Sequence, residues 1–194
     1  MRTFDLFVVE LEKQLDDKIT TEGGLELYID TKFDEFENRI TEGPVVASPF
    51  KYDTGVEVGD TLYFHHHVVI NDGQPLTGED NHFIVQYNPG YTAANQAIAY
   101  KSKKTGEVRP LAGWSLLEGV EEPKEEESSL IEVVKLSEDP VTKGRVAFEA
   151  PWVDELGLKI GDVVGFKENR DYRIKIDGKE YYRTRTEDLL YVEA

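Results

Sequence analysis

The chain has 194 residues, no cysteine and a formal net charge of −17, which excludes a disulfide framework, a thiol nucleophile and any cysteine-based metal site. The charge is shared, with 18 acidic and 9 basic side chains in residues 1–104 against 21 and 13 in residues 105–194, and a surface of this sign repels phosphate backbones and disfavours nucleic-acid binding. No run approaches the ~18 apolar residues of a membrane span, and MRTFDLFVVELEKQLDD is too acidic for a transit peptide and too briefly apolar for a secretory signal, so a cytoplasmic protein without membrane contact is expected.

In chain order, the first half shows short alternating runs: FDLFVVEL (4–11), PVVASPF (44–50), DTLYFHHHVVI (60–70), HFIVQY (82–87) and QAIAY (96–100). Gly, Pro, Asn and Asp punctuate them, as strands and turns require. KFDEFENRI (32–40) has Phe33, Phe36 and Ile40 at helical spacing and is compatible with a short amphipathic helix. The polar segment KSKKTGE (101–107) marks a boundary, and VRPL (108–111) starts a second unit. That unit contains WSLLEGV (114–120), GRVAFEA (144–150), DVVGF (162–166), YRIKI (172–176), EYYRT (180–184) and LLYVE (189–193). Asp-Gly at 177–178, between two alternating runs, is a strong hairpin signal. The expectation is an all-β protein of two tandem small β-barrels, residues 1–104 and 105–194.

The two halves repeat one another. VEVGDTLYF (56–64) recurs as LKIGDVVGF (158–166), 102 positions later. Each copy follows a long polar segment without strand regularity, about 12–43 in the first half and 121–144 in the second. Loops of this length are functional or disordered more often than incidental. Each also holds an apolar island, LELYI (25–29) or LIEVV (130–134). An island of this kind reads either as a docking segment or as one more strand.

This order of parts resembles the GroES-type co-chaperonins. In the second half the resemblance covers about 85 residues, through VRPLAGWSLLEGVEEPKEEESS, GRVAFEA, LKIGDVVGF and the C-terminal RDYRIKIDGKEYYRTRTEDLLYVEA. The first half is similar more loosely, through FDLFVVELEKQLDDKITTEGG, PVVASPF and VEVGDTLYF, and carries an insertion around NPGYTAAN (88–95). A tandem form, with drift of this kind, points to a bacteriophage or bacterial source.

The resemblance implies a non-enzymatic cap for the folding chamber of an ATP-bound, GroEL-type chaperonin. It implies a homo-oligomeric ring, mobile loops that dock on the partner, and no cofactor on this chain, ATP being bound by the partner. The family's loop motif, Gly-Gly and then a hydrophobic triplet, is matched by Gly23, Gly24, Leu25 and Leu27, with Tyr28 and Ile29 extending the apolar surface. The departure is Glu26 in the middle position. In the second loop Ser128-Ser129 replaces the glycines, and Leu130, Ile131 and Val133 form a weaker docking set. The alternative function is a structural or assembly component, of a ring or virion, built from a duplicated β-barrel.

Enzymatic motifs are missing from the sequence. It has no GxSxG, no GxxxxGK[ST] and no GxGxxG. His65-His66-His67 is the one metal-like run. On a strand, His65 and His67 face one way and His66 the other, so three ligands do not converge on one ion and no metal is expected.

Overall fold

A computed structural model describes residues 1–15, 18–20, 24–28, 39–69, 74–76, 78, 81–120 and 141–193. The protein is all-β in class. Among the described residues there is one α-helix, and no helix is long and apolar enough to cross a membrane.

The chain divides into two compact units, Met1–Gly113 and Trp114–Ala194. In the first unit the strands are β1 (Leu6–Glu10), β2 (Lys18–Thr20), β3 (Glu26–Tyr28), β4 (Glu42–Ala47), β5 (Thr61–Phe64), β6 (Gln74–Pro75), β7 (His82–Gln86), β8 (Ala97–Lys101) and β9 (Val108–Pro110). Seven of them form an antiparallel sheet in the order β6-β7-β1-β4-β5-β8-β9, while β2 and β3 pair with each other. Alternation along β4 shows why these residues form sheet: Val45 and Ala47 turn inward and are buried, while Glu42 and Pro44 stay exposed. Phe7, Val9, Leu62, Phe64 and Val85 close the core.

In the second unit β10 (Trp114–Gly119), β11 (Lys143–Val146), β12 (Val163–Phe166), β13 (Tyr172–Ile176), β14 (Lys179–Arg185) and β15 (Leu189–Val192) are ordered β13-β14-β10-β11-β12-β15. Leu117, Val146, Trp152, Val164 and Phe166 form its core. Among the described residues the sheet order matches that of the first unit strand for strand, with β9 as the one addition to the sheet. The β13–β14 hairpin turns through Asp177 (φ 52°) and Gly178 (φ 78°), both left-handed as a two-residue Asp-Gly turn demands.

The repeated motif keeps its alternation but not its expected strand. Val56 and Leu158 are buried and Val58 and Ile160 exposed, yet residues 56–58 and 158–160 join no ladder. They run as irregular approach segments, held by the aspartate that follows.

Four further expectations change. VRPL does not begin the second unit, because β9 pairs with β8 through Ala99↔Pro110 and Lys101↔Val108, and residues 102–107 are the turn between them. GRVAFEA stops as a strand at Val146 and leads into α1 (Pro151–Glu155). Pro151 opens that helix, where its missing N–H costs nothing, and Gly157 (φ 71°) ends it. Trp152 of α1 is buried and donates its indole N–H to the Trp114 carbonyl at 3.0 Å. The segment about 12–43, read as lacking strand regularity, contains the β2–β3 ribbon. Most of the helical spacing at 32–40 lies outside the described residues; Arg39 itself forms an isolated antiparallel bridge with Leu15. The fourth change is that the histidine run lies on a turn and not along a strand.

Among the described residues of the second unit two charged side chains are buried, Asp188 and Arg183. Arg183 is 5% exposed, with its guanidinium 5.8 Å from the Trp114 ring centroid and 5.5 Å from that of Tyr172. Burial pushes its pKa down to about 10.

Candidate functional site

The chain leaves the first sheet after β1 and returns at β4, and the excursion between them is pinned at its base. Leu15 bridges to Arg39, which is itself buried, and the Ile40 amide donates to the Gln14 carbonyl at 3.0 Å. Within the excursion, β2 and β3 pair with the register Lys18↔Tyr28, Ile19↔Leu27 and Thr20↔Glu26. Gly24, at φ 77°, takes a left-handed conformation that L-residues resist, and it lets the chain enter β3.

The ribbon presents apolar groups to solvent. Leu25 is 62% exposed, Leu27 48% and Tyr28 75%. Strand alternation places Leu25 and Leu27 on one face and Glu26 and Tyr28 on the other. The second face is organised by Lys18, whose ammonium donates to the Glu26 carboxylate at 3.1 Å and lies 5.1 Å from the Tyr28 ring centroid. Glu26 is therefore directed away from the leucine pair and neutralised there. Tyr28 does not extend the leucine surface, because it shares the Glu26 face. Of the predicted docking residues, Gly24, Leu25 and Leu27 are brought together; Gly23, Ile29, Leu130, Ile131 and Val133 lie outside the described residues.

A second surface was not anticipated. β15 is an outermost strand of its sheet, with Leu190, Tyr191 and Val192 exposed at 58%, 49% and 46%. Its counterpart in the first unit, β8, has the corresponding edge covered by β9. The signal available beforehand was four consecutive apolar residues, Leu189 to Val192, where a half-buried strand would alternate.

The histidine run is not on a strand. β5 ends at Phe64, His65 is extended (φ −68°, ψ 139°), and His66–Val68 form a 3₁₀ turn. The change of direction gathers the three rings, with centroids 4.2 to 4.5 Å apart. Alternation therefore does not separate them, and the argument that they cannot converge fails on this backbone.

No family model matches this chain, and none of the curated proteins matches it.

Proposed function

We propose that the chain is a tandem co-chaperonin of the GroES type that caps an ATP-loaded, GroEL-type chaperonin in the cytoplasm, with Leu25 and Leu27 as its docking pair. The observation that carries this reading is the exposed leucine pair on a paired ribbon whose base is closed by Leu15 and Arg39. The matched strand order of the two units supports a duplicated module of one small barrel-like type. Leu130, Ile131 and Val133 would be the weaker counterpart in the second unit.

The energetics suit a cap that must come off. Burying an aliphatic side chain contributes roughly 1.5–3 kcal/mol, and ordering a free loop gives back about 2–5 kcal/mol. A ribbon that is already paired reduces that cost without making one contact strong. Several copies in a ring raise overall binding by roughly 10²–10⁴ without new contacts. The edge of β15, outermost among the described strands, supports self-association, since an edge with exposed apolar side chains is a template for a further strand.

Leu27→Asp, assayed by pull-down on ATP-loaded chaperonin, is expected to abolish binding while the β-sheet circular dichroism is retained. Undiminished binding by that variant refutes the docking assignment. One observation favours the alternative of a ring or virion component: β2 and β3 are already paired in the chain alone. Strong hydrogen-exchange protection of that ribbon, together with no affinity for any chaperonin, would decide for it.

A further inference from the structure

We propose that His65, His66 and His67 form a binding site for a transition-metal dication of the zinc type, independent of the chaperonin reading. Their candidate ligand nitrogens all lie within 4.8 Å of one another. Around zinc, with Zn–N bonds of ~2.0–2.1 Å in a tetrahedral shell, ligand nitrogens sit roughly 3.3–3.4 Å apart. The remaining closure, at most about 1.5 Å, is of the size that χ rotation of half-buried side chains supplies.

The backbone beneath the rings is tied at both ends. Phe64 and Val68 are fully buried, the His65 amide donates to the Gln96 carbonyl at 2.8 Å, and the Val68 amide donates to the His65 carbonyl at 3.0 Å. The three side chains are thus carried by a fixed turn, which lowers the cost of gathering ligands. His65 Nδ1 accepts the His67 amide N–H at 3.3 Å, a long bond that a cation replaces at little cost. Three imidazoles and one open position suit zinc, copper or nickel better than the oxygen-seeking magnesium or calcium. The net charge of −17 raises the local concentration of any dication.

In the second unit the chain leaves β12 with a corresponding first bond, the Lys167 amide donating to the Asp188 carbonyl at 3.1 Å as the His65 amide does to the Gln96 carbonyl. The residues that follow are Lys167, Glu168 and Asn169, and Lys167 pairs with Asp188 at 2.8 Å. The turn that follows is a different one, with Asn169 left-handed at φ 59° where His66–Val68 form a 3₁₀ turn, so the gathering of three side chains at this corner is particular to the first unit.

The test is titration of the untagged full-length chain with Zn²⁺ against a chromogenic chelator, in excess Mg²⁺ to occupy surface carboxylates. One ion per chain is expected, with affinity at least ~10-fold lower in His65→Ala and in His67→Ala, and unchanged in His82→Ala. A readout on the unaltered protein covers variants that fold poorly: Zn²⁺ is expected to shift the imidazole ¹⁵N resonances of residues 65–67 and not that of His82. No binding at micromolar Zn²⁺, equal binding by the alanine variants, or shifts at His82 alone would overturn the site.

Discussion

Asp60 and Asp162 make the same bonds in the two units. The Asp60 carboxylate accepts the Glu57 amide at 2.8 Å, and that of Asp162 accepts the Lys159 amide at 2.9 Å. Each aspartate's own amide returns to the carbonyl of that same residue at 3.1 Å. Their carbonyls accept from Val45 and Val146, at 2.8 and 2.9 Å, so each turn is sewn to the neighbouring strand. Asp60 goes further, because its second oxygen accepts the Lys103 amide at 2.8 Å and the residue is 3% exposed.

That difference predicts unequal mutational costs. Asp60→Ala removes a charged acceptor from two amides, and each such bond contributes about 1.5–3 kcal/mol. Asp162→Ala removes one, in a more exposed turn. Denaturant unfolding, with hydrogen exchange reporting each unit separately, is expected to show the larger loss for Asp60→Ala and to place it in the first unit. Equal losses would remove the role assigned to the Lys103 contact.

Gly144 lies where a Cβ would stand 2.7 Å from the Leu117 Cβ, and Leu117 is fully buried. Gly144→Val is expected to destabilise the second unit by about 1–3 kcal/mol through overpacking. Thermal unfolding checks this, and an unchanged midpoint would mean that β10 and β11 separate more easily than their register suggests.

Arg183 carries a desolvation penalty, visible as a pKa that burial lowers to about 10. The unfolded chain holds this proton more tightly, so below pH ~10 the buried charge costs the fold a constant amount, and above it the cost is relieved. The aromatic contacts with Trp114 and Tyr172 offset part of that cost. Arg183→Met, which keeps the length and loses the charge, is expected to stabilise the second unit by ~1 kcal/mol at pH 7. Its advantage should hold from pH 7 to about 9 and shrink as the pH rises past ~10, and a clear loss of stability at pH 7 would contradict the argument.

The exposed edge of β15 gives a prediction about assembly. Lysines at Leu190 and Val192 place like charges along that edge, a common way to block strand addition. The double variant is expected to sediment as a smaller species than the parent chain, with its circular dichroism retained. If the sedimentation coefficient does not change, self-association does not use this edge.

Much of this protein is determined locally and was legible in its residues. Period-two burial marks β4, β7 and β13, positive-φ chemistry marks the Asp177-Gly178 turn, and the repeated Gly-Asp marks two equivalent corners, because each depends on neighbours in sequence. The leucine pair at 25 and 27 was also visible, as an apolar island in a polar segment. What only the tertiary structure decided rests on partners far along the chain or on a single backbone turn. Val108–Pro110 is apolar enough to begin either unit, and it is the ladder with β8 that assigns it to the first. Tyr28 belongs to the Glu26 face because β3 is extended and paired with β2, which brings Lys18 against both. The three histidines converge because the chain turns at His65 once Phe64 and Val68 are both buried. Alternation carried one residue too far had set them apart, and the core on either side of the turn brought them together.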